Sequence, residues 1–326
     1  MGRRTLLIVN RTAGTGCGPA MAGRLARELT LACPRCEPEL ELVDDHPSAR
    51  QVARRFFAAS GRPAAVIAGG GGGTLRAAVE GVCDAANGTL PAGDALVLGA
   101  LRMGSGNVVA RRLGVARDPI EGIRRLAASL DANRTAPCAV IRCRFGTASG
   151  EDVRHAVTMC GLGQFGRTSG DLARWHARLP EPRRAIASVV DIERLNNLEY
   201  AASAAGRLVA STIDPGTAEE VQVTLGERSE RFRLLAGAVM NFPIGAIPFD
   251  PRVTMGEAAA GVLLLPRGGR LRTWRLNAGE GLRVEFLDRE SVEFFLDEDP
   301  ERAHRELTID VPGTLSLLLG TREEAA

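Results

Sequence analysis

The sequence predicts an α/β N-terminal lobe, doubly wound around a mostly parallel sheet, joined to an all-β sandwich C-terminal lobe. Three observations predict it. Short apolar runs alternate with helical patterns as far as about residue 137, the signature of strands and crossover helices. Three glycine-bearing loops, 11–18, 69–73 and 102–106, leave the ends of predicted strands in that half. From about Pro137 the texture changes to short strand-like runs separated by turns. The expected division is 1–137 for the first lobe and 138–305 for the second, with a helical insertion near 171–200.

The elements follow in order. "TLLIVN" (5–10) reads as a buried strand, and residues 19–31 as a helix after a glycine-bearing loop. "ELELVD" (39–44) alternates like a strand. "SARQVARRFFAAS" (48–60) has a helical period, with Ser48 as its expected cap. "AAVIA" (64–68) is a short buried strand, and "TLRAAVEGVCDAA" (74–86) a helix. "ALVLGAL" (95–101) is another strand, followed by "GSGNVVARRLG" (104–114) as loop and helix. "DPIEGIRRLAASL" (118–130) is a helix opened by Asp118 before Pro119. In the second half "CAVIRCRFG", "RHAVTMCGLG", "EEVQVTLG", "RFRLLAGAVMNFP", "GVLLLP", "LRVEFL", "SVEFFLD" and "LTIDV" read as strands. Helical character returns only around 171–200.

Composition narrows the chemistry. All 41 basic residues are arginine, which excludes a Walker A lysine, a kinase strand lysine and a Schiff-base lysine. Phosphate must then be held by backbone N–H groups and arginines. A net charge of +2 gives no expectation of a nucleic-acid partner. No apolar run reaches 18 residues, so no transmembrane helix is predicted. The N-terminal apolar run is too short for a signal peptide, and the expected location is cytoplasmic. The seven cysteines are odd in number and scattered, which argues against a disulfide framework. "CPRC", Cys33 to Cys36, has no second pair at zinc spacing and reads as a surface loop. No metal-ligating cluster is predicted, and His46, His155, His176 and His304 read as structural or surface residues.

The glycine run Gly69 to Gly73 lies between a strand and a helix. Its N–H groups meet a helix N-terminus, a favourable place for an anion. It is not a dinucleotide fingerprint, because Thr74 stands where GxGxxG needs glycine. "RMGSGN" (102–107) repeats the arrangement at the next strand. A plain helix cap by Ser105 or Asn107 is the competing reading. Arg11 and Arg102 sit in these loops and are expected phosphate contacts.

Taken together these segments resemble the diacylglycerol kinase catalytic family, which includes bacterial lipid kinases and sphingosine kinases and is distantly related to NAD kinases. "LLIVNRTAGTG" resembles the family's opening NPxxG loop, "GGGGGT" falls at its GGDGT, and "MGSGNVVARRLG" at its GTGNDFARxLG. "NFPIGAIP" (241–248) and "FFLDEDP" (294–300) resemble two segments of its second half. The resemblance implies two lobes with the active site between them, and a last segment, 306–326, that returns to the first lobe. It implies ATP and Mg²⁺ as cofactors and a lipid hydroxyl as acceptor. Carried over, the nucleotide cradle is Asn10, Thr12, Gly14, Gly70, Gly71, Gly72, Gly73, Thr74, Gly104, Ser105, Gly106 and Asn107. Asp299 matches the family's general base and Asp297 is a supporting acid.

The chain departs from the family where metal is handled. Gly72 stands at the acid of GGDGT, Val108 follows Asn107, and Thr254-Met255-Gly256 replaces an Asp-Asp-Gly turn. Three readings therefore stand: a lipid kinase, a degenerate nucleotide- or lipid-binding module, and an NAD-kinase-like enzyme. Trp175 with Arg174, Arg178, Arg183 and Arg184 reads as a solvated arginine-rich helix or as a peripheral membrane contact. A dimer is compatible with the sequence.

Overall fold

A computed structural model describes residues 3–14, 17–60, 63–91, 93–178, 191–244 and 250–320. The chain divides into two units, Met1–Cys138 with Thr314–Ala326, and Ala139–Gly313.

The first unit contains β1 (Arg3–Asn10), α1 (Pro19–Ala32), β2 (Cys36–Val43), α2 (His46–Ala58) and β3 (Ala64–Gly70). It continues through α3 (Gly72–Ala85), β4 (Leu96–Arg102), α4 (Val108–Arg112) and α5 (Pro119–Asp131). Its sheet has the order β14 (Asp299–Leu318), β4, β3, β1, β2, with every neighbouring pair parallel. The consecutive apolar residues Leu6 to Val9 are fully buried, as expected for a parallel strand covered on both faces. Helix α2 starts earlier than its period indicates: Pro47 lies in its first turn, and the Asp45 carboxylate accepts from Ser48 N at 2.8 Å. Asp45, not Ser48, is therefore the cap. Asp118 caps α5 by accepting from Glu121 N at 2.8 Å.

Cys33 and Cys36 are not a plain surface loop. Both are buried and joined in a disulfide between the end of α1 and the start of β2. The tight turn between helix and strand brings their Cα atoms to 5.4 Å, within bridging reach. Scatter of the other cysteines is no guide to a local pair.

The second unit runs from β5 (Thr135–Thr147) through β6 (Gly150–Ala156), β7 (Met159–Leu162), α6 (Gly163–Gly166), α7 (Thr168–Arg178) and α8 (Ile192–Ile213). It ends with β8 (Glu219–Leu225), β9 (Arg228–Met240), β10 (Ala259–Pro266), β11 (Arg272–Asn277), β12 (Gly281–Phe286), β13 (Ser291–Leu296) and β14 (Asp299–Leu318). The expected sandwich is not what forms. Antiparallel pairs β9–β7, β7–β13, β13–β14, β14–β12, β12–β8 and β8–β9 close into a ring. Closure comes from two long strands that change partners. β9 pairs β8 through Arg228–Leu234 and β7 through Gly237–Met240. β14 pairs β13 through Asp299–His304 and β12 through Glu306–Asp310. Arg305, at φ +60°, sits at the change. Alternation in sequence looks the same in a sandwich and a barrel. The interior holds Val221, Val223, Leu282, Val284, Leu307 and Ile309, with Phe145 edge-on to Phe294 at 5.0 Å.

Glu306–Asp310 stays with β12, and the first unit regains the chain only at Thr314. Among the described residues the helical insertion includes α7 and α8; Arg183 and Arg184 lie outside the described residues.

Helices α2 and α3 are tied by a buried ionic network. Glu80 has no exposed surface and accepts from Arg76 at 3.2 Å and Arg50 at 3.2 Å, with His46 Nε2 at 2.8 Å. Burial pushes the Glu80 carboxyl up, but the His46 hydrogen bond and the Arg76, His46 and Arg50 charges outweigh it and hold the group at about 2. Because this folded value lies below the ordinary 4.5, the stabilisation is present above that range and is lost as pH falls towards 2. Replacing Glu80→Gln is expected to cost about 3 kcal/mol in urea denaturation at neutral pH. The gap to wild type should close progressively below the ordinary glutamate range.

Candidate functional site

Three loops at the carboxyl ends of β1, β3 and β4 meet in the first unit, the position where open α/β sheets hold ligands. Backbone contact brings them together. A Cβ on Gly104 would lie 2.1 Å from Gly71 Cα, and one on Gly14 would lie 2.3 Å from Met103 O. Gly14 also has φ +59°, a conformation that favours glycine. At Gly70 a Cβ would meet Thr74 Oγ1 at 2.2 Å, because the Thr74 side chain folds back over the loop.

Polar side chains fix the loops from below. Asn10, at the end of β1, donates to Thr74 Oγ1 at 3.3 Å and accepts from Thr12 N at 2.9 Å. Thr12 Oγ1 lies 2.8 Å from the Asp44 carbonyl. Asn107, at φ +51°, accepts from Gly104 N at 3.0 Å and donates to Gly104 O at 2.6 Å. Asn107 thus clamps the Gly104 peptide rather than capping a helix, and α4 starts without a side-chain cap. Ser105 and Gly106 span the loop between them, half-buried and buried.

Gly71 is the N-cap of α3, with no side-chain cap and no acid in the first turn. The first-turn amides of a helix have no intrahelical partner, and the helix dipole favours an anion there. Space beside Gly72 is open: a Cβ there would have nothing within 4 Å. Gly72 and Gly73 lie half-buried in this turn. The arrangement offers backbone N–H groups to an anion. Arg102 ends β4 beside it. Arg11 is committed elsewhere, since its guanidinium grips the Asp44 carboxylate in two bonds and is not a ready phosphate contact.

In the second unit the two sequence-predicted acids have different roles. Asp297, at φ +58° and 3% exposed, accepts from Val157 N at 3.0 Å, Thr158 N at 2.8 Å and Met159 N at 3.2 Å. It fastens the 157–159 segment and is not available as a supporting acid. Asn241 braces the same segment, donating to Val157 O at 2.8 Å and Ala139 O at 2.6 Å. Asp299 is half-buried and pairs with Leu296 across the hairpin. Sequence reasoning missed the groups that hold this turn. Ser169 donates to the Glu298 carbonyl, and Tyr200 OH lies 2.9 Å from Ser169 Oγ. Burial pushes the Tyr200 hydroxyl up, as do the Glu298, Asp299 and Asp297 carboxylates, so it stays protonated. Its signal in the sequence is slight: it is the single tyrosine in the chain.

Glu257 follows the Thr254-Met255-Gly256 turn, but its carboxylate accepts from Thr254 N at 2.8 Å and pairs with Arg275. The Arg275 and Thr254 hydrogen bonds hold it below the usual carboxylate range.

These contacts separate a glycine of one loop from a glycine of its neighbour. Replacing Gly104→Ala is expected to cost about 1–3 kcal/mol, since backbone lies against backbone. Gly72→Ala should be neutral within about 0.5 kcal/mol. Chemical denaturation of the two variants checks both.

Residues 4–139 match the family model of the diacylglycerol kinase catalytic domain. Among curated proteins, none matches the chain. A crystal structure of a diacylglycerol kinase from Bacillus anthracis str. Sterne is 15% identical with a TM-score of 0.58, covering 97% of each chain. Another from that organism, provisionally assigned as a diacylglycerol kinase, is 16% identical with a TM-score of 0.65, covering 97% of this chain and 95% of that one. Yeast NADH kinase complexed with NADH is 9% identical with a TM-score of 0.57, covering 99% of this chain and 85% of that one. The chain shares the fold of these kinases, and the segment 4–139, which carries all three glycine loops, is the part that matches the model of the diacylglycerol kinase catalytic domain.

Proposed function

We propose that the chain is a lipid-kinase-type protein that binds ATP and transfers its γ-phosphoryl group to a lipid hydroxyl. The convergence of the three glycine loops on the N-terminus of α3 carries this reading. Asn10, Thr12, Gly14, Gly70 to Thr74 and Gly104 to Asn107 form the cradle. The Gly72 and Gly73 amides of the first turn hold phosphate oxygens, and Arg102 offsets their charge. Asp299 accepts the proton of the attacking hydroxyl. Glu298 is held by its carbonyl, so the turn presents Asp299 from a fixed position.

ATP fits this cradle, because glycine leaves room for phosphate against the amides. A protein-held Mg²⁺ does not fit the described residues. Among them no group of three or more His, Cys, Asp or Glu is placed to cage a metal, and Gly72, Thr254 and Met255 stand where the family has acids, so a Mg²⁺ would be held chiefly by the ATP phosphates. No step is therefore assigned to a protein-bound metal. That same deficit favours a second reading, a nucleotide- or lipid-binding module without turnover.

The test is transfer of label from γ-labelled ATP, with Mg²⁺ supplied, into a total lipid extract. A labelled lipid is expected with wild type and absent with Asp299→Asn, while ATP binding is unchanged. Asp297→Asn should instead destabilise the protein by about 2 kcal/mol, because it takes charge from a set of buried amide bonds. Turnover surviving in Asp299→Asn removes that residue from the mechanism. No label from folded wild type favours the binding module, and label in a water-soluble nucleotide favours an NAD-kinase-like activity.

A further inference from the structure

Helix α8 has two faces of opposite chemistry. The inner face is polar: Glu193, Asn196, Glu199 and Ser211 are all buried, and Arg207 pairs with Asp171 of α7. The outer face is apolar. Leu198 is 64% exposed, Val209 62% and Ile213 80%, and the positions that link them along this face, among them Ala201 and Ala205, are exposed as well. The spacing is helical over four turns, and the helix is turned inside out relative to one that faces water. Among the described residues of α8, the exposed charge is Arg194, one turn before Leu198, while both acids of the helix are buried. Helix α7 packs beside α8 and adds Trp175, 43% exposed, and the exposed Arg178.

We infer that the outer face of α8, with Trp175 and Arg178 of α7, docks on an anionic lipid bilayer. Apolar side chains, a tryptophan and bordering arginines are what an interfacial helix presents to headgroups and acyl chains. Charge distinguishes lipid from a second copy of the chain. Self-association through this face would cover Arg194 and Arg178 with no exposed acid of α8 to pair with them, whereas anionic headgroups complement them. The same helix carries Tyr200 on its other side, against the Ser169 that holds the Glu298 carbonyl beside Asp299. Docking therefore sets the Asp299 turn roughly one helix diameter, about 10 Å, from the lipid surface. The meaning of that position rests on the lipid acceptor proposed above, but vesicle binding is read without turnover, so the two ideas fail separately.

The experiment is sedimentation of the full chain with vesicles of phosphatidylcholine alone, or of phosphatidylcholine with phosphatidylglycerol. Wild type is expected to sediment with the anionic vesicles and to stay in solution with the neutral ones. Leu198→Asp/Val209→Asp should weaken anionic binding at least about tenfold. Leu198→Ala/Val209→Ala, which keeps the helix and adds no charge, should weaken it in the same direction. No sedimentation of wild type, equal sedimentation with neutral vesicles, or binding unchanged in both double variants would overturn the proposal. So would a wild-type dimer by light scattering that the aspartate variant converts to monomer.

Discussion

The contact between two glycine backbones, Gly71 and Gly104, sets the geometry on which the candidate phosphate site depends. With 2.1 Å between Gly71 Cα and the place of a Cβ on Gly104, the second loop tolerates no side chain at Gly104. The third loop is pinned in the same way by Gly14 against Met103. Parallel strands supply the direction: β1, β3 and β4 all end at one edge of the sheet, so their loops start as neighbours. Asn10, Thr74 and Asn107 then hold the glycines by hydrogen bonds. Polar side chains here serve the loops, which leaves backbone amides as the groups that face a ligand.

The second unit uses its carboxylates differently from a simple reading of its acidic turn. Asp297 lies in a left-handed conformation and is consumed by three backbone amides. Asn241, nearly sixty residues earlier in the chain, holds the same 157–159 segment from the other side. A buried carboxylate satisfied in this way is a structural group, since moving it would strand several buried donors. Asp299, two residues on and half-buried, keeps the exposure that a proton acceptor requires. The unit closes around these residues because β9 and β14 are long enough to serve two partners each.

Much of the first unit was legible in the sequence because periodicity and glycine placement report on local geometry. The run Leu6 to Val9 and the glycines at 69–73 carry their structural meaning without knowledge of distant residues. Legibility falls where a role depends on contacts remote in sequence. Arg11 looks like a phosphate ligand until Asp44, just past the end of the neighbouring strand, takes it. Asp297 looks like a catalytic acid until the 157–159 amides arrive from more than a hundred residues away. Ser48 yields the α2 cap to Asp45 because Pro47 extends the helix by one turn. The ring of strands was hidden because alternation records which side is buried, not how the sheet closes. Tyr200 carries no motif, and its placement against Ser169 depends on how α7 and α8 pack.

The central claim is that the backbone amides of the α3 N-terminus bind phosphate. Amide chemical shifts of isotope-labelled protein, followed as inorganic triphosphate is added, test it most directly. The account predicts saturable shifts concentrated at Gly71 to Thr74 and Gly104 to Asn107. Shifts absent from these amides, or spread over arginine-rich surface alone, would contradict it.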